Sequence, residues 1–306
     1  MRVISASRRT DIPAWYTPWL LNRLRAGYCH VANPFGGQIS RVSLRTEDVL
    51  ALVFWTRNPA PLLPHLEALR AAGYRCYVHM TITGYPRVLE PAAPPVGEAV
   101  ATLRRLSAAI GPANVIWRYD PILISALTTP ETHLQRFTSL AANLAGVVEQ
   151  CIISYTQFYQ KTTRNLNAVP ELCWMDPDAD QRIRLAVLLA DIAAIFNIRL
   201  AACCSPELLS ERISPAHCVD PAHLRRLRPD VAVTLSTTPS RAHCGCAAST
   251  DIGAYDTCRH GCAYCYATSH PAIAHRRYAE HDPEDSILWR PLRLRGVDLD
   301  AHFSTA

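Results

Sequence analysis

Residues 74–117 read YRCYVHMTITGYPRVLEPAAPPVGEAVATLRRLSAAIGPANVIW, and the order of patterns within them decides the fold class. Tyr74 to Ile82 is a short apolar run of the kind that forms a strand buried on both faces. Gly97 to Ile110 spaces its apolar residues as a helix does, and Gly111 is a natural stop. Val115 to Trp117 returns to the strand pattern. Strand, helix and strand in succession make the crossover unit that joins parallel strands.

The same alternation extends in both directions. Further strands are expected at Val3 to Ser7, Tyr28 to Ala32, Ala51 to Trp55, Cys151 to Tyr155, Ile198 to Ala202 and Val231 to Leu235, with helices at Pro61 to Ala72, Thr132 to Leu144 and Asp180 to Phe196. Eight strands with covering helices predict an α/β fold, a (β/α)₈ TIM-like barrel over residues 1–240. A cysteine-rich tail over residues 241–306 is expected to pack near the barrel mouth. An open doubly wound sheet is the alternative. Against a dinucleotide site, the first strand is followed by SASRRTDIP (residues 5–13) and not by a glycine-rich turn.

The 306 residues are 49% hydrophobic and 19% charged, enough to bury a substantial core. A formal net charge of +5 allows an acidic partner but does not demand nucleic acid. The start, MRVISASRRTDIP, lacks the pattern of a secretory leader, and no apolar stretch has membrane-spanning length. The expectation is a cytoplasmic protein with no membrane contact. In that compartment the 12 cysteines are poorly explained as disulfides. Cys29, Cys76, Cys151 and Cys173 are scattered and read as small hydrophobes, whereas the other eight crowd the last third of the chain.

Polar groups recur just past the expected strands: Arg8, Arg9 and Asp11, then Asn33, then Thr56, Arg57 and Asn58, then His79 and Thr81, then Arg118 and Asp120, then Ser154 and Gln157. At a barrel mouth, side chains from distant strands converge on one ligand. Arg9, Asp11, Arg57, His79, Arg118 and Asp120 are therefore the candidate catalytic residues, with a polar or anionic substrate expected. Arg57 and Arg118 suit an anion because a guanidinium grips carboxylate or phosphate bidentately. Each also has a structural reading: the aspartates can bond local amides or arginines, the asparagines suit turns, and His79 can be a satisfied core group. Motifs of ordinary hydrolases and of nucleoside triphosphatases are absent.

Cys258-Arg259-His260-Gly261-Cys262-Ala263-Tyr264-Cys265 carries the densest signal. Three thiolates at this spacing can hold three corners of a [4Fe–4S] cluster and leave one iron open. The spacing, with Tyr264 just before the last cysteine, resembles the CxxxCx-aromatic-C motif of radical S-adenosylmethionine enzymes. The resemblance implies Cys258, Cys262 and Cys265 as ligands, with Tyr264 packing against cluster or cofactor. It also implies S-adenosylmethionine on the open iron, cleaved reductively to a substrate-attacking radical, and an electron donor such as ferredoxin or flavodoxin. That loop usually follows the first barrel strand. Its late position here implies either a permuted arrangement or another role for the cluster.

The longer segment RAHCGCAASTDIGAYDTCRHGCAYCYA (residues 241–267), together with SASRRTDIPA, FWTRNP and WRYDP, resembles the bacterial family catalogued as domain of unknown function 1848. Cys204, Cys218, Cys244 and Cys246, with Cys203 as a substitute for its neighbour, could hold a second iron–sulfur cluster or a structural zinc. Alternatively Cys203 and Cys204 fill the end of a buried strand. His243, His260 and His270 offer weaker nitrogen ligands, and Asp251 and Asp256 suit structural roles. The leading functional expectation is a radical S-adenosylmethionine-like oxidoreductase or lyase. The alternatives are a nucleic-acid base repair or modification enzyme, and a non-catalytic iron–sulfur or zinc protein of electron transfer, redox sensing or binding.

Overall fold

The computed structural model describes residues 1–303 apart from 233, 239 and 240. Its strands are β1 (Arg2–Ala6), β2 (Tyr28–Ala32), β3 (Ile39–Ser43), β4 (Val49–Thr56), β5 (Cys76–Thr81), β6 (Val115–Ile122), β7 (Gln150–Tyr155), β8 (Arg199–Ala202), β9 (Ile213–Pro215) and β10 (Thr250–Asp251). Eight of these form one sheet in the order β10-β1-β4-β5-β6-β7-β8-β9, with every neighbouring pair parallel. The architecture is α/β and TIM-barrel-like. No ladder joins β9 to β10 among the described residues, so the sheet keeps two edges, both formed by very short strands.

Alternation along the strands separates two buried faces. Ile4, Leu52, Phe54, Val78, Met80, Trp117 and Ile153 pack outward with residues of the covering helices. Val3, Ala51, Val53, Tyr77, Ile116, Ile152 and Ala201 pack together on the opposite, concave side. Burial on both faces is why these strands read as almost unbroken apolar runs. The helices Val96–Ile110, Pro130–Leu144 and Ala179–Ile195 lie close to the expected spans. Asp178 and Gln181 make a reciprocal capping box at the start of the last one.

Two expected strands differ in the structure. Tyr28 to Ala32 is a strand, but it pairs antiparallel with β3 in a separate two-stranded sheet. A short connection between neighbouring segments favours a hairpin, and a parallel ladder would need a long crossover. For Val231 to Leu235, residue 233 lies outside the described residues and the rest carry no strand. β9 and β10, which are three and two residues long, complete the sheet instead; neither is long enough to show a period in sequence.

On the concave side, residues after β9 reach back across the sheet as far as β5. Tyr77 OH donates to the Cys218 carbonyl at 2.8 Å, and His79 Nε2 bonds the same oxygen at 2.8 Å. A carbonyl only accepts, so Nε2 carries a proton and donates it. His79 also stacks on Trp55, with centroids 5.2 Å apart and an interplanar angle of 13°. Burial, followed by the Arg118 charge, lowers its pKa to about 3. His133 is buried between Tyr119 OH at 2.9 Å and the Leu123 carbonyl at 3.0 Å; burial lowers its pKa to about 4.

Two outcomes follow for stability. Both imidazoles have folded pKa values depressed below the ordinary histidine value of about 6.5. Their contribution is complete above that pH and is lost as the pH falls towards 4 and 3. Urea melts at pH 7 and pH 4 should show His79→Gln narrowing the gap between the two stabilities by about 2–3 kcal/mol relative to the parent. An unchanged gap contradicts the buried neutral imidazole. Trp117 is fully buried, stacks on Phe137 at 4.8 Å and donates from Nε1 to the Ile82 carbonyl at 3.0 Å. Trp117→Ala should cost about 3–5 kcal/mol in the same melts.

Candidate functional site at the C-terminal mouth

The C-terminal ends of β1, β4, β5, β6, β7, β8 and β10 open on one cavity of about 1270 Å³. This is the end at which parallel strands of this architecture present ligands. Eight basic side chains line it against four aspartates, so its field favours an anion. Arg8, Arg9, Asp11, Arg57, Arg118 and Asp120 all border it, as do Cys203, Cys204, Cys218, Cys244, Cys246, Cys258, Cys262 and Cys265. His79 lies deeper in the concave face and is 1% exposed; it supports Cys218 from below.

Asp251 attaches the late segment to the sheet. Its carboxylate accepts from Ser5 Oγ at 2.6 Å, Ser7 Oγ at 2.7 Å, the Arg8 amide at 2.8 Å and the Gly253 amide at 3.0 Å. At Gly253 an added Cβ would collide with the Ser7 side chain, so this close approach requires glycine. Asp11 makes a second attachment. It accepts from the Ala14 amide at 3.0 Å as a helix N-cap, from the Arg57 amide at 2.7 Å, and meets His260 Nε2 at 2.8 Å. Asp11 is saturated by structural bonds, which fits positioning better than proton transfer.

Two arginine–carboxylate pairs are held in the wall. Arg57 Nη1 lies 2.9 Å from Glu90 Oε2, while Glu90 Oε1 accepts from Thr83 Oγ1 at 2.5 Å and from Tyr264 OH. Arg57 also donates to the Tyr264 oxygen. Burial, with the Glu90 charge beside it, pushes the Tyr264 pKa well up, so the phenol stays protonated. Tyr264 packs with Tyr85, Leu89 and Leu172. Arg118 grips Asp120 through two nitrogens, one at 2.8 Å, and Ser154 Oγ adds a bond at 3.2 Å. Burial alone would push the Asp120 carboxyl up; Arg118 and Ser154 outweigh it and hold it below its ordinary value.

The cysteines require a correction. Among the described residues, no three or more His, Cys, Asp or Glu side chains are grouped to hold a metal ion, and all twelve cysteines are free. The expected [4Fe–4S] cluster on Cys258, Cys262 and Cys265 does not fit, nor does a second iron–sulfur cluster or zinc on Cys204, Cys218, Cys244 and Cys246. S-adenosylmethionine, expected on the open iron, loses its anchor with them. The surroundings of Cys258 and Cys262 favour thiols. Burial and the Asp11 charge push the Cys258 pKa well up, and burial pushes Cys262 up to about 12 despite Arg57.

What the second set forms instead is a file of thiols. Cys203 Sγ lies 3.7 Å from Cys204 Sγ and 3.8 Å from Cys218 Sγ, and the Cys218 amide donates to Cys246 Sγ at 3.2 Å. Arg118 Nη1 reaches Cys218 Sγ at 3.0 Å and Arg241 Nη2 reaches Cys203 Sγ at 3.4 Å. For Cys203 the Cys204 thiol pulls the pKa down, but the Cys218 thiol and burial outweigh it and the net shift is upward. A hydrogen bond from Cys218 draws Cys246 below its ordinary value, against burial.

Sequence reasoning missed Glu90, Arg241 and Lys161, and gave Cys203 only a substitute's place. Glu90 carries no local signal between Leu89 and Pro91. Lys161 does carry one, since it is the only lysine among 31 lysines and arginines. No helix among the described residues is long and apolar enough to cross a membrane. No curated protein matches the chain. Residues 3–267 match the family described as "Domain of unknown function (DUF1848)". The match spans the sheet, the mouth and the whole cysteine segment, and the chain is a member of the domain of unknown function 1848 family.

Proposed function

We propose that the protein is an oxidoreductase that binds a small anionic substrate in the mouth cavity and exchanges two electrons through the thiols of Cys203, Cys218 and Cys246. The observation that carries this reading is the approach of Cys203 Sγ to within 3.8 Å of Cys218 Sγ, on a cavity wall shared with Arg118 and Arg241. The Cys203 thiol and Arg118 pull the Cys218 pKa down, but the Cys246 sulfur and burial outweigh them; Cys246, drawn below its ordinary value, supplies the thiolate, the reactive form of cysteine. Hydrogen bonding along the file makes Cys246 the most acidic of the three. A reducing cytoplasm suits a dithiol of this kind, because it restores the reduced pair after each oxidation.

The step balances with a peroxide as oxidant. A thiolate attacks the O–O bond, hydroxide leaves and a sulfenic acid forms; the neighbouring thiol then displaces water and a disulfide results. Two thiols and one hydrogen peroxide thus give one disulfide and two waters. A small dithiol reverses the change by exchange, becoming a cyclic disulfide itself. An organic hydroperoxide whose carboxylate or phosphate the arginines hold would take the place of hydrogen peroxide; its O–O bond breaks in the same two-electron step, and it leaves as the alcohol with one water.

One equivalent of hydrogen peroxide, followed by thiol blocking and peptide mapping, should yield a disulfide joining Cys218 to Cys203 or Cys246, reversible by dithiothreitol. Cys218→Ser should abolish it, and Arg118→Gln should slow it about tenfold or more through loss of the guanidinium on the sulfur. Oxidation confined to the exposed Cys173, or no disulfide at Cys218, overturns the reading.

A further inference from the structure

We infer that Arg9 and Lys161, each set beside the ring of Tyr255 on the cavity wall, form the seat for an oxyanion of the substrate. This inference rests on the reading of the mouth as an anionic-substrate site, and it identifies which part of the mouth holds the charge. The Arg9 guanidinium carbon and Lys161 Nζ each lie 5.5 Å from the Tyr255 ring centroid. All three residues line the cavity. They come from three distant parts of the chain: the loop after β1, the first turn of the helix Gln160–Asn167, and the segment after β10.

The local charge is unbalanced. Lys161 has no acidic partner in ion-pair range among the described residues. Arg9 reaches Asp251 only at 3.9 Å, and that carboxylate already accepts the four bonds from Ser5, Ser7, Arg8 and Gly253. Arg277, the next cation, is engaged elsewhere: it donates to the Tyr255 carbonyl at 2.7 Å, stacks on Trp289 at 3.8 Å and lies 4.0 Å from Asp256. Two cations beside one ring on the wall of a shared cavity raise the potential there and favour an anion. The guanidinium supplies a planar fork and the ammonium a point charge, a combination that suits a phosphate or a carboxylate.

Because Lys161 is the only lysine, acetylation by an N-hydroxysuccinimide ester reports on this one side chain, with the terminal amine of Met1 as internal control. Inorganic phosphate or citrate, at about ten times its dissociation constant, should slow acetylation of Lys161 about tenfold and leave the Met1 rate unchanged. Sodium chloride at matched ionic strength should not protect. Protection by phosphate alone marks a phosphate seat, and protection by citrate alone marks a carboxylate seat. Arg9→Gln should remove the protection in either case.

Equal acetylation rates with and without both anions overturn the seat, as does protection that survives in Arg9→Gln. The assay reads occupancy and not thiol oxidation. Loss of protection with peroxide-driven disulfide formation intact rejects the seat alone, whereas protection without any Cys218 disulfide rejects the redox reading and retains the seat.

Discussion

The Asp251 carboxylate is shared among two serine hydroxyls and two backbone amides, and through it β10 is fastened to β1 across 246 positions of sequence. A buried carboxylate is tolerated only with such a full set of donors. Everything at the mouth depends on that attachment. It places Tyr255 over Arg9, brings the Cys258–Cys265 loop to the ends of β1 and β4, and lets His260 meet Asp11. Without it the late segment would have no fixed relation to the sheet, and the cavity between them would have no second wall.

The mouth is also costly to build. Arg57 and Arg118 lie in places where an isolated charge would be strongly penalised, and each is matched by a carboxylate that further hydroxyls hold in position. Pairs of this kind add little net stability but leave each guanidinium one available geometry. Arg118 therefore points a remaining nitrogen at Cys218. Arg57 instead joins Glu90 and Tyr264 into a closed unit behind the cysteine loop. The positive charge left to a ligand lies elsewhere on the rim, at Arg9 and Lys161.

The same crowding sets the state of the cysteines. Spacing along the chain counts sulfurs but says nothing of the dielectric around them. Cys258 and Cys262 are half-buried on the cavity wall beside Asp11 and Glu90, where the neutral thiol is favoured. Cys203, Cys204, Cys218 and Cys246 hydrogen-bond to one another and to arginines, an arrangement assembled from the end of β8, the crossing segment after β9 and the late loop.

Sequence alone determined the parallel α/β class, because burial on both faces leaves unbroken apolar runs, and helical spacing between them is a local property. It also located the mouth residues, since polar groups after apolar strands must gather at one end of a parallel sheet. The hairpin of β2, the two short edge strands and the crossing segment at Cys218 were decided by tertiary structure. Those elements are too short or too dependent on distant partners to leave a period. Tertiary structure likewise decided that Glu90 pairs with Arg57, that Lys161 and Arg9 share the ring of Tyr255, and that Cys258 and Cys262 favour the thiol. Protonation and pairing are set by burial and by charges brought from far along the chain, and neither quantity exists until the chain has folded.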